Sequence, residues 1–113
     1  MKARLWVVGK KPESLRRELN DTLSRVGERT KPKHPVRLNK EWKRDRPDGW
    51  SSIRSTNGGK GSLKYRWNPQ LRILECWAVT KAGNRPSQLI GEFVEMILST
   101  QKPRVRSIHI EVS

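Results

Sequence analysis

The stretch LKYRWNPQLRILECWAVT, which runs from Leu63 to Thr80, contains the clearest hairpin in the chain and therefore decides its fold. Both arms are rich in aliphatic, β-branched and aromatic residues, which favour strands. The tripeptide Asn68-Pro69-Gln70 between them is typical of a turn. We predict a strand over residues 63–67, a turn, and a second strand over residues 71–80.

The chain after the hairpin is predicted to form a helix and a last strand. Residues 86–100 place apolar side chains on one face with a helical period, and Pro103 follows them, as often happens after a helix ends. Residues 104–112 alternate between apolar and polar side chains, which is typical of a strand with one buried face. Ile108 and His109 then lie on opposite faces of that strand.

The chain before the hairpin begins with a predicted strand over residues 3–9 and a predicted helix over residues 13–28. Pro12 and Glu13 suit the first turn of this helix. The order β-α-β-β-α-β is the split βαβ, or ferredoxin-like, pattern. We expect a single α+β domain over residues 1–113, with both helices on one face of an antiparallel sheet whose first and third strands are central. The first of these helices is predicted from an apolar stripe along one of its faces, which consists of Leu15, Leu19, Leu23 and Val26.

Positive charge is concentrated in the middle of the chain. The segment from Arg29 to Arg66 contains twelve Lys or Arg and three acidic residues, whereas the rest of the chain contains thirteen Lys or Arg and eight acidic residues. Residues 29–62 are predicted to be a basic, Trp-containing loop or hairpin insertion after the first helix. Within it, residues 29–49 form a long basic loop, and a short strand over residues 51–56 would widen the sheet.

The net charge of +14 favours a polyanionic partner. No apolar run is long enough to span a membrane, and the basic residues do not follow one amphipathic helix, so nucleic acid is the leading partner. Met1–Lys10 is too short and too charged for a signal peptide. Cys76 is the only cysteine, which excludes an internal disulfide and fits a reducing compartment. We therefore expect a cytoplasmic protein.

Two strand tryptophans are candidates for stacking on bases. If the aliphatic residues of the first strand pack on the helices, Trp6 lies on the open face beside Arg4. On the strand over 71–80, the same reasoning leaves Trp77 on the open face. Aromatic faces beside Arg hold unpaired bases, at roughly 1–3 kcal/mol for each base. The alternative is that either tryptophan belongs to the core, because a strand tryptophan is often buried.

The basic segment supplies further candidate residues. Trp42 and Trp50 either pack over a sheet edge or stack on a partner, and the charges around them are alternatively a solvated loop. The Gly-rich stretch around Lys60 either presents its backbone N–H groups to a phosphate or is a flexible hairpin turn without that role. The predicted nucleic-acid-binding residues are Arg4, Trp6, Arg37, Lys40, Trp42, Lys43, Arg44, Arg46, Trp50, Arg54, Lys60, Lys64, Arg66 and Trp77.

The predicted function is the binding of single-stranded nucleic acid or RNA with little sequence readout, without catalytic residues, metal or cofactor. One alternative is a small nuclease of a mobile element or toxin system, using His109, or using a metal held by His34 and nearby acids. Those acids, Glu41, Asp45 and Asp48, match no metal motif. Another alternative is an interaction subunit of a ribonucleoprotein. Ferredoxin-like sheets often pair, which also leaves a homodimer open.

The first strand has a short family likeness. Leu5–Lys10 resembles the first strand of RNA-recognition-motif domains, in which an aromatic residue stands second. The third strand of that family carries two Gly-aromatic pairs, whereas Leu71–Val79 has one aromatic residue, Trp77, and no glycine. The similarity is therefore one of topology and residue use, and topology does not determine function.

Overall fold

The computed structural model describes residues 2–26, 34–39, 50–56, 61–80 and 86–112. These residues form two α-helices and one six-stranded antiparallel sheet, which confirms the α+β class. The elements are β1 (Lys2–Gly9), α1 (Leu15–Val26), β2 (Val36–Leu38), β3 (Ser51–Ser55), β4 (Ser62–Asn68), β5 (Ile73–Val79), α2 (Pro86–Thr100), a 3₁₀ helix (Lys102–Arg104) and β6 (Val105–Val112).

The sheet has six strands, whereas the β-α-β-β-α-β pattern has four; the widening strand expected over residues 51–56 is present as β3, and β2 is not predicted. Its strand order is β2-β3-β4-β5-β1-β6, so β2 and β3 extend it beyond β4. The prediction of a continuous loop over residues 29–49 is wrong, because Val36 and Leu38 are buried and form β2. The basic insertion is not confirmed, since the described parts of residues 29–62 belong mainly to the sheet and the rest lies outside the described residues.

Helix α1 begins later than the sequence predicts, whereas helix α2 does not. The Ser14 hydroxyl accepts a hydrogen bond from the backbone N–H of Arg17 at 3.2 Å, so Ser14 is the N-cap of α1. The predicted start at residue 13 is therefore wrong, and Pro12 precedes the helix. Helix α2 has the predicted bounds.

Both helices cover the same face of the sheet. Alternate strand residues such as Leu5 and Leu74 are fully buried there, together with Leu19 of α1 and Phe93 of α2. The ring of Tyr65 on β4 packs against Phe93 with 6.0 Å between the ring centroids. Burial of these aliphatic and aromatic side chains stabilises the fold by about 25 cal/mol for each Å² removed from water.

Polar contacts attach α1 to β3 and β4. The Tyr65 hydroxyl donates to Oδ1 of Asn20 at 2.5 Å. Asn20 Nδ2 and Arg16 Nε each donate to the Ser51 hydroxyl at 2.9 Å. Buried polar groups need such partners because water cannot reach them, so these contacts fix the position of α1 on the sheet.

The hairpin that connects β4 to β5 is shifted from its predicted position. Residues 69–72 form the turn, and Arg72 adopts a positive φ of 55°. Asn68 closes β4, and its side-chain Oδ1 accepts hydrogen bonds from the backbone N–H groups of Gln70 and Leu71, both at 3.1 Å. Strand β5 therefore begins at Ile73 and not at Leu71. In the described part of the chain, no helix has the length and apolar character needed to span a bilayer.

Candidate nucleic-acid interface

The sheet face opposite the helices, called the open face here, carries eight of the predicted binding residues. The burial pattern of β1 confirms the predicted alternation, because Ala3, Leu5 and Val7 are buried while Arg4 is exposed. Directly opposed residues of antiparallel strands share a face. The strand register therefore shows which residues of the open face are neighbours. These eight residues are Arg4, Trp6, Arg37, Trp50, Arg54, Lys64, Arg66 and Trp77.

Trp77 lies between two cations on the open face. It is opposite Arg4 of β1 on one side and opposite Lys64 of β4 on the other. The Arg4 guanidinium carbon is 3.9 Å from the centroid of the Trp77 ring, a cation–π contact. Trp77 is half-buried and does not belong to the core cluster, so one part of its ring is accessible.

Trp6 occupies the next row of paired residues. It is opposite Glu75 of β5 and His109 of β6. Glu75 accepts hydrogen bonds from Arg66 Nη2 at 3.2 Å and from Asn68 Nδ2 at 3.3 Å. Trp6 is half-buried, and therefore neither strand tryptophan is a fully buried core residue. The row thus combines an aromatic ring with a carboxylate that already has partners.

Trp50 also belongs to the open face, where it lies beside β4. It immediately precedes β3 and is half-buried. Its ring centroid is 4.8 Å from the Arg66 guanidinium carbon and 5.3 Å from Lys64 Nζ. Trp50 thus lies against cations of β4 on the sheet, and its stacking on a partner stays a prediction.

Two arginines face each other at the β2 edge of the sheet. Arg37 of β2 is directly opposite Arg54 of β3, and both are exposed. Among the residues that the structure describes, neither forms an ion pair. Like charges at opposed positions destabilise a sheet, so this pair makes the edge electrostatically favourable for an anion.

Charge is distributed unequally between the two layers of the protein. The six strands contain seven Lys or Arg and two Glu. The two α-helices contain three Arg and four Asp or Glu. Of these two layers, the sheet therefore carries the positive charge and the helices do not.

Six of the predicted binding residues lie outside the described residues. Five of them belong to the segment 40–49 that joins β2 to β3, and one belongs to the segment 57–60 that joins β3 to β4. They are Lys40, Trp42, Lys43, Arg44, Arg46 and Lys60. The chain enters the first segment after Asn39, whose N–H donates to the Ser52 carbonyl at 3.0 Å, and leaves it at Trp50.

The residues of the alternative nuclease site are not brought together by the described structure. Glu41, Asp45 and Asp48 lie outside the described residues. Within the described ranges there is no group of three or more His, Cys, Asp or Glu that could hold a metal. The Nε2 atom of His109 is 3.1 Å from the hydroxyl oxygen of Ser107.

Glu75 and Asn68 also lie on the open face, although neither is among the predicted binding residues. Alternation along β5 places Glu75 on the same face as Trp77, but its contact with Arg66 depends on the β4–β5 register. The sequence indicates only a turn at Asn68, whereas Asn68 ends β4 and donates to Glu75. The alternation of β5 was a usable signal for Glu75, and no sequence signal identifies the role of Asn68.

Comparisons of this chain with models of protein families, with curated proteins and with solved structures find no match. The function is therefore inferred from the geometry and charge of the open face.

Proposed function

We propose that this protein binds single-stranded nucleic acid, preferably RNA, across the open face of its sheet. The observation that carries the proposal is the position of Trp77 between Arg4 and Lys64 on a face that no described element covers. Such a row offers a π surface for a base and cations for the flanking phosphates. Unpaired bases are held on sheets by this combination.

The tryptophans supply the stacking surfaces in this proposal. A base stacks on the accessible part of Trp77 or on the Arg4 guanidinium that covers it, since both are flat and polarisable. Trp6 and Trp50 provide further surfaces in the neighbouring row. A base must be unpaired to present its face to them, which is why single strands are preferred over a duplex.

The cations supply the phosphate contacts. Arg37 and Arg54 lie together at one edge, and Lys64 lies further along the same face. Contacts with phosphates position a strand without reading its sequence. The helices provide no alternative surface, because they contain more acidic than basic residues and cover the core. We therefore propose little sequence readout and no insertion of a helix into a major groove.

The segments outside the described residues extend the same site in this proposal. Residues 40–49 connect Asn39, which follows β2, to Trp50, which precedes β3. Lys40, Lys43, Arg44 and Arg46 would add phosphate contacts, Trp42 would add a stacking ring, and Lys60 would act beside β4. We also propose a ferredoxin-like core formed by β4, β5, β1 and β6 with both helices, supported by their consecutive positions in the sheet.

A binding titration at several salt concentrations tests the proposed function. Labelled oligouridine, oligothymidine and a duplex of equal length are compared. We expect the single strands to bind more tightly and log affinity to fall linearly with log salt, with a slope of about 0.7 for each phosphate contact. Trp77→Ala should weaken binding of oligouridine by a factor of roughly 5 to 100, from the loss of stacking.

The control for Trp77→Ala is Leu71→Ala, which removes an exposed apolar side chain from the β4–β5 turn. It should leave the affinity unchanged. Equal affinity of the wild type for single strands and duplex would contradict the proposed mode of binding. Absence of binding to any nucleic acid at low salt would contradict the function itself, and cleavage of the labelled strands would indicate a nuclease instead.

A further inference from the structure

A groove between α2 and β6 is separate from the proposed interface on the open face. Its volume is about 530 Å³. Its apolar walls come from Val94 and Leu98 on the helix and from Ile108 and Ile110 on the strand. Leu98 is 48% exposed and Ile110 is 52% exposed. Large aliphatic side chains that remain exposed next to one another indicate a surface that another molecule covers.

Strand β6 offers its backbone along this groove. In the described part of the chain it is the last strand of the sheet and pairs only with β1. Alternate residues of such an edge strand direct their N–H and C=O groups away from the sheet. A second extended segment can therefore add to the edge and place alternate side chains in the groove.

The charges around the groove are all positive among the described residues. Lys10, Lys102 and Arg106 line it, and no Asp or Glu does. The Lys10 N–H donates to the Arg104 carbonyl at 2.8 Å, which places Lys10 beside the start of β6. The cations therefore lie at one end of the groove, while Ile108 and Ile110 follow along the strand.

We propose that this groove binds an extended, acidic segment of another protein, which pairs with β6 and places aliphatic side chains against Leu98 and Ile110. The charge of the groove determines this choice of partner. A second copy of the chain would bring the same three cations and a net charge of +14 to the contact. A nucleic acid would find aliphatic walls here, with no aromatic ring among the lining residues.

The proposal is independent of the nucleic-acid site and predicts a specific pattern in the partner. Side chains of an added strand that face the groove recur at every second residue. Acidic residues should therefore lie at the end of the segment nearest Arg106, and alternating Val or Ile should lie near Ile110. Such a segment can bind while the open face holds a nucleic acid, because the two surfaces are on different sides of the molecule.

The test uses the full chain labelled with ¹⁵N and a synthetic peptide in which a run of Glu precedes alternating Val and Thr. A second peptide carries the run of Glu after the alternating residues, so that both orientations are sampled. We expect amide shifts in Val105–Val112 and around Leu98, and no shifts at Arg37, Arg54 or Lys64. A Pro in the centre of the bound peptide should abolish the shifts, because Pro removes a ladder donor.

Charge reversal provides the decisive variant. Arg106→Glu should weaken binding of the Glu peptide by about fivefold or more and should strengthen binding of a peptide that carries Lys in place of Glu. Arg17→Glu is the matched control, since Arg17 is exposed on α1, and it should leave both affinities unchanged.

Three results of these experiments would overturn the proposal, and a competition with oligouridine provides a fourth. One is no shift in β6 with either Glu peptide at millimolar concentration. Another is a set of shifts confined to the cations of the open face. The third is a dimer of the wild type in solution that Ile110→Lys converts to a monomer, because a second copy would then occupy the edge. Oligouridine added to the peptide complex should not displace the peptide, and displacement would likewise place the peptide on the open face.

Discussion

Glu75 and Arg66 form an ion pair across the β4–β5 ladder, with 3.2 Å between Arg66 Nη2 and Glu75 Oε2. They are directly opposed in the sheet, and the arginine also lies over the ring of Trp50. The carboxylate therefore neutralises part of the positive surface beside Trp6. In the proposed function, this acid opposes the binding of nucleic acid to the open face and lowers the affinity.

We predict that Glu75→Gln tightens the binding of oligouridine at low salt. The change removes one negative charge from the open face and frees Arg66, with an expected gain of up to about 1 kcal/mol, or about fivefold. The gain should vanish at high salt, because the charges are then screened. Fluorescence titrations at low and high salt measure it. Glu95→Gln on the exposed side of α2 is the control, and an equal gain there would show a non-specific effect of net charge.

The opposed arginines at the β2 edge should contact phosphates. Arg37→Gln combined with Arg54→Gln is expected to lower the slope of log affinity against log salt by about 0.7 for each lost contact. The free energy of unfolding should not fall, because the change removes repulsion between like charges. Salt titrations and urea unfolding measure the two effects. An unchanged slope, equal to that of Arg17→Gln, would remove both residues from the site.

Two glycines should respond to alanine in opposite directions. Gly61 has a φ of 111°, and a Cβ there would lie 2.7 Å from the Val79 carbonyl oxygen. Gly61→Ala should therefore destabilise the fold by more than about 1 kcal/mol. Gly91 lies in α2 with no atom near the added Cβ, so Gly91→Ala should stabilise by about 1 kcal/mol. Urea unfolding measures both, and changes of the same sign would contradict the described backbone.

Stability should decline in alkaline solution because of two buried groups. Burial raises the pKa of Cys76 well above its ordinary value of 9.0 and raises the pKa of Tyr65 above 10.0. The unfolded chain then loses these protons at a lower pH than the folded chain. The free energy of unfolding therefore falls as the pH rises past about 9, by about 1.4 kcal/mol for each pH unit and group.

Cys76→Ala should remove the part of this decline that begins near pH 9.0, and Tyr65→Phe should remove the part that begins near pH 10.0. Urea unfolding over a series of pH values measures the difference between each variant and the wild type, so that the titration of lysines cancels. Parallel profiles of wild type and Cys76→Ala above pH 9.0 would contradict the prediction. Tyr65→Phe also removes a buried hydrogen bond and should cost about 1–3 kcal/mol at neutral pH.

The alternation of apolar residues predicted much of the open face. Burial alternates along β1 and β5 without interruption, and Trp6 and Trp77 lie on the face opposite the helices, as expected. Strand β2 is not predicted from the sequence, because Val36 and Leu38 provide only one repeat of the apolar alternation. Its stability comes from pairing with β3 and from core burial, which local sequence does not reveal.

Side-chain contacts that depend on the pairing register of the strands could not be predicted from the sequence. Arg37 is opposite Arg54 only because of the way the chain turns between β2 and β3. The contacts of Trp50 with Lys64 and Arg66 require β3 and β4 to pair in one particular alignment. Helix α1 begins at Leu15 because the Ser14 hydroxyl caps it, whereas Pro12 and Glu13 indicate an earlier start.

The position of β1 in the sheet determines when the protein can fold during synthesis. Its two neighbours in the sheet are β5 and β6. These strands comprise residues 73–79 and 105–112, so they are synthesised long after β1. The first strand therefore has no partner while most of the chain is made, and its apolar residues stay exposed to the solvent or to a chaperone. Because these pairings join distant parts of the chain, we expect slow folding that is completed after translation of β6.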